Sequence, residues 1–262
     1  MEALFQQLRP LVIAITLCTP RLLTAFLVSP FFNTQMITGV TRNCIVIVFA
    51  LIVFPTMLPF VRTSGPTVGF IFATVVKEAV IGALIGFLAS LFFYAIEAVG
   101  HIIDHQRGAA FASLMDPTTN TQTTPMGSLF TQMTILLFFT SGGFFLFLSG
   151  MYESYRVWPI DTFWPHWDPE FAHFFLARLD DMMGLAFLLV SPILITLFLS
   201  DLGLGLINRF APQLNVFFLS MPIKSGVGLL ILIFYLQFLL SYIQDIFVRQ
   251  FDIFALLREV VH

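Results

Sequence analysis

Six stretches of this chain are long and apolar enough to cross a lipid bilayer, and that constrains what it can fold into more than any other feature. A membrane helix needs roughly 20 mainly apolar residues. The runs over about 11–32, 44–61, 68–99, 129–150, 183–200 and 214–243 qualify, with soft edges. The third and sixth are long enough to tilt, bend or double back as hairpins. Composition removes the soluble alternative. Of 262 residues 58% are hydrophobic and 10% charged, and mean hydropathy is +0.93. An average soluble domain carries about 25% charged residues, so too few are present to coat a water-facing globule. The 33 Phe residues need lipid or partner protein around them. Net charge is −3 with no run of Lys or Arg, so no nucleic-acid partner is expected. The predicted class is an all-α integral membrane protein, about six long and partly broken helices in one bundle.

Local features refine this. Cys18 and Cys44 both lie in apolar runs and read as small core residues rather than a disulfide. Arg9 and the apolar 11–17 segment resemble a short export signal, but no A-x-A-like site follows, so the segment is expected to be retained. Pro20, Pro55, Pro192 and Pro222 fall inside or at the ends of apolar runs, and kinks or breaks are expected there. With both termini inside, Arg9, Arg62, Arg156, Arg178, Arg249 and Arg258 face the cytoplasm, and Arg42, Arg107 and Arg209 face outward. That bias favours this orientation. The connection over 100–128 ends in DPTTNTQTTP, strong turn chemistry without apolar period. The connection over 151–182 holds Trp158, Trp164 and Trp167 and suits either a membrane-interface belt or a packed loop. The tail over 246–262 is amphipathic and suits a membrane surface or a partner.

Arg21, Lys77, Glu78, Glu97 and Lys224 stand within apolar stretches. A charge in lipid costs about 2.5–3.5 kcal/mol on insertion scales, so these residues line a polar path or form ion pairs between helices. Lys77 and Glu78 point about 100° apart on a helix and are not expected to pair directly. Gly82, Gly86 and Ser90 form a small-residue stripe that lets another helix approach, while Gly142, Gly143, Gly203, Gly205, Gly226 and Gly228 add bendable or tightly packed positions. His101, Asp104 and His105 could hold zinc, since two His at i and i+4 share a face. The alternative is a polar helix end leading into a loop, and no third ligand motif is evident. Asp180-Asp181 reads as a helix start or interface pair. No nucleophile elbow, P-loop or C-x-x-C motif occurs. No catalytic residue, metal or cofactor is expected.

Two motifs then point to a family. The block LGLINRFAPQLNVF over 204–217, followed by Pro222-Ile223-Lys224, resembles the signature of the SctT/FliR family of type III secretion export-apparatus proteins. The segment GAAFASLMDP over 108–117 resembles that family's Gly…Phe-Ala…Asp-Pro segment between the third and fourth apolar runs. Run number and motif order agree along essentially the whole chain, and Lys224 after Pro222 favours the injectisome SctT branch over the flagellar one.

The resemblance implies a structural, pore-forming component of a protein export gate in the bacterial inner membrane, multi-pass and partly projecting to the periplasmic side. It implies assembly with SctR and SctS (FliP and FliQ in flagella), with SctU and SctV (FlhB and FlhA) and the needle or rod base as further partners, and passage of unfolded substrates. It also implies an SctR-like part over 1–182 with a plug loop at about 104–128, an SctS-like hairpin over 183–245 and the tail helix over 246–262. The pore plug carries over as Gly108, Ala109, Ala110, Phe111, Ala112, Ser113, Leu114, Met115, Asp116 and Pro117, where small residues pack closely and Phe111, Leu114 and Met115 form an apolar seal. Signature and assembly residues are Gly205, Asn208, Arg209, Pro212, Gln213, Asn215, Phe217, Pro222 and Lys224. The polar members are expected to fix the turn around Pro212 and to bond neighbouring subunits. Energy must come from elsewhere, because the chain has no nucleotide motif. The competing class is a secondary transporter for a small solute, which predicts internal repeats, and none is visible. An intramembrane metalloprotease resting on His101 and His105 is the third reading.

Overall fold

The computed structural model describes residues 2–32, 37–108, 124–162, 169–211, 213 and 216–250. Every regular element among them is helical: α1 (Glu2–Val28), a 3-10 turn (Pro30–Phe32), α2 (Gly39–Ser64), α3 (Val68–Gln106), α4 (Pro125–Thr140), α5 (Gly143–Val157), α6 (Pro169–Phe210) and α7 (Val216–Gln250). Five helices are long and apolar enough to cross a membrane, and α4 with α5 passes as a sixth span with a break. The all-α membrane class therefore stands.

Several boundaries differ from the sequence reading. Neither long run doubles back. α3 is one helix of 39 residues and α7 one of 35, and at 1.5 Å per residue α3 reaches about 58 Å. That exceeds a hydrocarbon core of about 30 Å, so α3 tilts steeply or stands partly outside lipid. It runs through the expected connection as far as Gln106. The fourth run is broken instead. Gly142 has φ 81°, a left-handed conformation open to glycine without strain, and it separates α4 from α5. The expected connection over 151–182 is helical at both ends, since α5 runs to Val157 and α6 begins at Pro169.

Pro20, Pro55, Pro192 and Pro222, where kinks or breaks are expected, all lie inside helices that continue through them, so none of them breaks its helix. At Pro192 the reason is visible. The ring frees the Leu188 carbonyl, and the Ser191 hydroxyl donates to that oxygen at 2.9 Å. Asp180 and Asp181 sit within α6, where Asp181 pairs with Arg178 one turn earlier at 2.9 Å. Cys18 is buried, but Cys44 is exposed rather than in the core, and both are free. Most of the amphipathic tail lies outside the described residues. The expected boundary at 182/183 falls inside α6.

Two compact units share the chain. The first contains α1, α2, α3 to Leu91, α5 from Phe144 and the start of α6. α1 and α2 pack together, and their core is aromatic. Phe26 has Phe32 at 4.5 Å, Phe49 at 6.0 Å and Phe147 at 5.9 Å between ring centroids. Edge and tilted pairs at such distances contribute about 0.5–1.5 kcal/mol each beyond burial. α3 meets α1 through the small-residue stripe. A Cβ on Gly82 would overlap the Arg21 carbonyl, and one on Gly86 would stand 2.6 Å from the Ala25 carbonyl. Ser90 completes the stripe by donating to the Gly86 carbonyl.

The second unit contains α3 from Phe92, α4, α6 from Ala177 and α7. Phe93 and Phe138 meet edge-on at 5.2 Å, and Leu197, Leu239 and Ile243 are buried in its core. Burial ranks the spans. Within the apolar window of α3, 61% is buried, against 28% for α6 and 22% for α2 and α7. The outer faces of α6 and α7, with Phe187, Phe198, Phe234 and Phe238 exposed, must therefore meet lipid or other protein.

Candidate functional site

The charges inside the spans are gathered into specific clusters. In the first unit, Arg21 is fully buried on α1 and forks onto Glu78 of α3, with Nε at 2.7 Å from Oε2 and Nη2 at 3.0 Å from Oε1. Its remaining donors reach the Ser154 hydroxyl at 3.1 Å and the Trp158 carbonyl at 2.8 Å. The guanidinium carbon lies 4.1 Å from the centroid of the Tyr155 ring, and the Tyr155 hydroxyl donates to the Cys18 carbonyl at 2.9 Å. One cation thus ties α1, α3 and the end of α5 together. Its planar fork suits two carboxylate oxygens and a stacked ring at once, which a lysine cannot match.

Lys77 was not expected to pair with its neighbour, yet its Nζ stands 3.1 Å from Glu78 Oε1. The flexible four-carbon stem overcomes the 100° offset. The same ammonium reaches the carbonyls of Pro159, Ile160 and Thr162 at 3.2, 3.1 and 2.7 Å, just past the end of α5. Cations are favoured at a helix C-terminus, where carbonyls lack partners. The cluster is saturated with structural partners, as expected of ion pairs between helices rather than of a polar path.

In the second unit a different cluster flanks the loop over 109–123. Asp104 is fully buried; Arg107 Nε donates to its Oδ1 at 2.9 Å, and the Met126 N–H donates to Oδ2 at 2.9 Å. Thr124 Oγ1 and His101 Nδ1 are 2.7 Å apart. Gly100 and Gly127 pack so closely that a Cβ on Gly100 would stand 2.5 Å from the Gly127 Cα. The end of α3 and the start of α4 are thereby clamped at both edges of the loop. Of the expected plug, Gly108 closes the described part with φ 83° and an N–H bonded to the His105 carbonyl at 3.1 Å. Ala109 to Pro117 lie outside the described residues.

The zinc reading of His101, Asp104 and His105 is not supported. Asp104 serves Arg107 and Met126, His101 serves Thr124, and no group of three potential ligands converges among the described residues. Glu97 is half-exposed on α3, 3.5 Å from His101. Asp104→Ala should leave Arg107 and the Met126 N–H unpartnered, loosening both edges of the loop by about 1–3 kcal/mol. Limited proteolysis in detergent should then cleave between 108 and 124 faster than in the unaltered chain.

Signature residues occupy three settings. Gly205, Asn208 and Arg209 are exposed in the last two turns of α6, and Gln213 is exposed in the turn after it. Asn208 and Arg209 make no side-chain hydrogen bond among the described residues. Pro212 and Asn215 lie outside the described residues, and Phe217 falls in the first turn of α7. The helix does end at Phe210, just before Pro212. Pro222 lies within α7, and Lys224 Nζ is 2.9 Å from Asp201 Oδ1 of α6, whose Oδ2 also accepts from Gln106 of α3 at 3.3 Å.

Asp201, Ser154 and Tyr155 went unnoticed in the sequence. Asp201 stands one residue past an apolar run, and the other two fall in what looked like a loop. The signal that finds them is charge balance. A buried Arg21 or Lys224 demands acceptors nearby.

The arrangement is a set of structural clamps around a loop, and the whole chain has relatives. The profile of the family described as bacterial export proteins, family 1, matches residues 12–249. The chain belongs to that family. It is 39% identical over 256 residues to the Yop proteins translocation protein T of Yersinia pestis, covering 97% of each chain. It is 32% identical to the surface presentation of antigens protein SpaR of Salmonella typhimurium, covering 89% of this chain and 86% of the relative. The flagellar biosynthetic protein FliR of Bacillus subtilis is 29% identical, with 87% of each covered. The SctT/FliR resemblance read from the two motifs is thus confirmed, with the flagellar relative less similar than the other two. The chain is a multi-pass inner-membrane member of a protein-export family, and its role lies in type III secretion.

Proposed function

We propose that the chain is a structural, pore-forming subunit of a type III secretion export gate, assembling with SctR- and SctS-type subunits and passing unfolded proteins across the inner membrane. SctU- and SctV-type proteins and the needle or rod base are its further partners, and part of the assembly projects to the periplasmic side. The observation that carries this reading is the contrast between interior and surface. Inside, Arg21, Lys77, Glu78 and Lys224 are held by close intrachain partners, while Glu97 is half-exposed beside His101. Outside, α6 and α7 expose large aromatic and aliphatic faces, and Asn208 and Arg209 stand exposed at the helix end. A rigid scaffold with unused binding faces is what a subunit needs. Bound solute is not what saturated charge clusters favour.

In this reading residues 108–117 form the plug, held at its two edges by Asp104, His101 and Thr124. Opening moves the loop while the clamped helix ends stay in place. The polar signature residues bond neighbouring subunits, and the chain performs no catalysis of its own.

The test is purification in mild detergent of the tagged chain expressed with its neighbouring genes, followed by mass determination of the intact complex. A defined assembly with R-type and S-type subunits is expected. A stable monomer or small homo-oligomer sinks the reading and favours a small-solute transporter. Arg209→Ala should lower recovery of partner subunits severalfold while leaving the chain's own melting temperature unchanged. Unaltered co-purification counts against a contact role for Arg209.

A further inference from the structure

A cleft of about 710 Å³ opens in the first unit between the beginning of α1 and the end of α2, lined by Arg9, Pro10, Leu11, Ile13, Val61, Arg62, Gly65 and Pro66. Two features distinguish it. Arg9 and Arg62 are both exposed, neither makes an ion pair with a described residue, and no carboxylate lines the cleft among the described residues. The other walls are apolar, with Leu11, Ile13 and Val61 continuing from the arginines along the helices.

The position of the cleft along the spans matters equally. Apolar spans begin at Leu8, end at Ser64 and begin again at Val68. Arg9 and Arg62 therefore mark one level where three spans leave the hydrocarbon. An arginine at that level finds phosphate oxygens, and an apolar residue one turn deeper finds acyl chain. Bilayer surfaces carrying anionic lipid attract such cations, and a guanidinium takes phosphate bidentately.

We propose that this cleft is a binding site for the phosphate-bearing headgroup of an anionic phospholipid. Arg9 and Arg62 hold the phosphate from two sides, and Leu11, Ile13 and Val61 accompany the start of an acyl chain. The two guanidiniums, which otherwise repel across the cleft, are neutralised by the lipid. The site is independent of the gate reading, because it needs only this chain in a membrane.

The test is native mass spectrometry of the delipidated full-length chain in mild detergent, titrated separately with phosphatidylglycerol, phosphatidylcholine and inorganic phosphate. Phosphatidylglycerol should bind about thirtyfold more tightly than phosphatidylcholine, the scale set by two arginines at a membrane surface. The Arg9→Gln/Arg62→Gln double variant should lose that preference, and each single variant should lose about fivefold of it, so a poorly folding double variant does not end the test. Arg9→Lys/Arg62→Lys, which keeps the charges but not the bidentate geometry, should retain only part of it, and Arg156→Gln, removing an exposed arginine elsewhere, should retain all of it. Equal binding of the two lipids, or an unchanged preference in the single Gln variants, overturns the proposal. Inorganic phosphate binding as tightly as phosphatidylglycerol also overturns it, assigning the cleft to a free anion.

Discussion

Glu78→Ala is expected to lower the stability of the chain more than any other single loss of charge, by roughly 3–5 kcal/mol. Arg21 is fully buried, and Glu78 supplies both oxygens of its fork. Without that carboxylate the guanidinium keeps Ser154 and the Trp158 carbonyl, two neutral acceptors, against its full desolvation cost. Lys77, 3.1 Å from the same carboxylate, turns from ion-pair member into a second unbalanced cation. The measurement is the apparent melting temperature in detergent, with the amount of chain recovered from membranes as a second readout. The informative comparison is Arg21→Met/Glu78→Leu, which removes the clasp with both charges. An apolar replacement of a buried pair often folds as well as the pair itself, so the double variant should be far more stable than Glu78→Ala. Equal destabilisation of the two would show that the cost lies in lost packing rather than in an unpaired charge, and would overturn this account.

Gly82→Val is the second large effect. A Cβ at residue 82 would meet the Arg21 carbonyl and the Thr24 hydroxyl, and the nearer of these is backbone, which cannot rotate away. Inserting side-chain atoms into such a contact typically costs about 1–3 kcal/mol and occasionally more. Here the added cost is a change in geometry, because pushing α1 off α3 at this level stretches the Arg21–Glu78 fork one turn away. The expected result is a large fall in folded protein, with Gly82→Ala intermediate. Gly184→Ala provides the contrast, since nothing lies within 4 Å of a Cβ there. That substitution should be neutral, or stabilising by up to about 1 kcal/mol, from helix propensity. If Gly82→Val melted like Gly184→Ala, the close approach of α1 and α3 would not exist in the folded protein.

These two residues also show how far the sequence could be read. Gly82 and Gly86 at spacing four announced a close helix contact, yet nothing in the spacing said that α1 was the partner. Arg21, Lys77 and Glu78 were conspicuous as charges in apolar runs. Local geometry argued against a Lys77–Glu78 contact, and the structure makes one because a long side chain can fold back toward a shared partner. His101, Asp104 and His105 had the spacing of metal ligands, but the carboxylate went to the Met126 N–H and Arg107 across the loop. The prolines left their helices unbroken for a related reason. Their local effect is to free a carbonyl, and a serine such as Ser191 can satisfy that oxygen without a break.

By itself, the sequence determined the all-helical membrane class, the number of apolar segments and, through LGLINRFAPQLNVF and GAAFASLMDP, the family. Those properties depend on composition, run length and the order of residue types along one chain. Only the tertiary structure decided which charges pair, where the fourth run breaks, that α3 continues to Gln106, and that Arg9 and Arg62 share one cleft. The Arg21–Glu78 pair and the shared cleft bring together residues tens of positions apart, Arg21 and Glu78 being 57 residues from one another. The acceptor that relieves a buried charge, and the backbone that excludes a Cβ, come from another helix. Helical periodicity describes one helix at a time and carries no information about its neighbour.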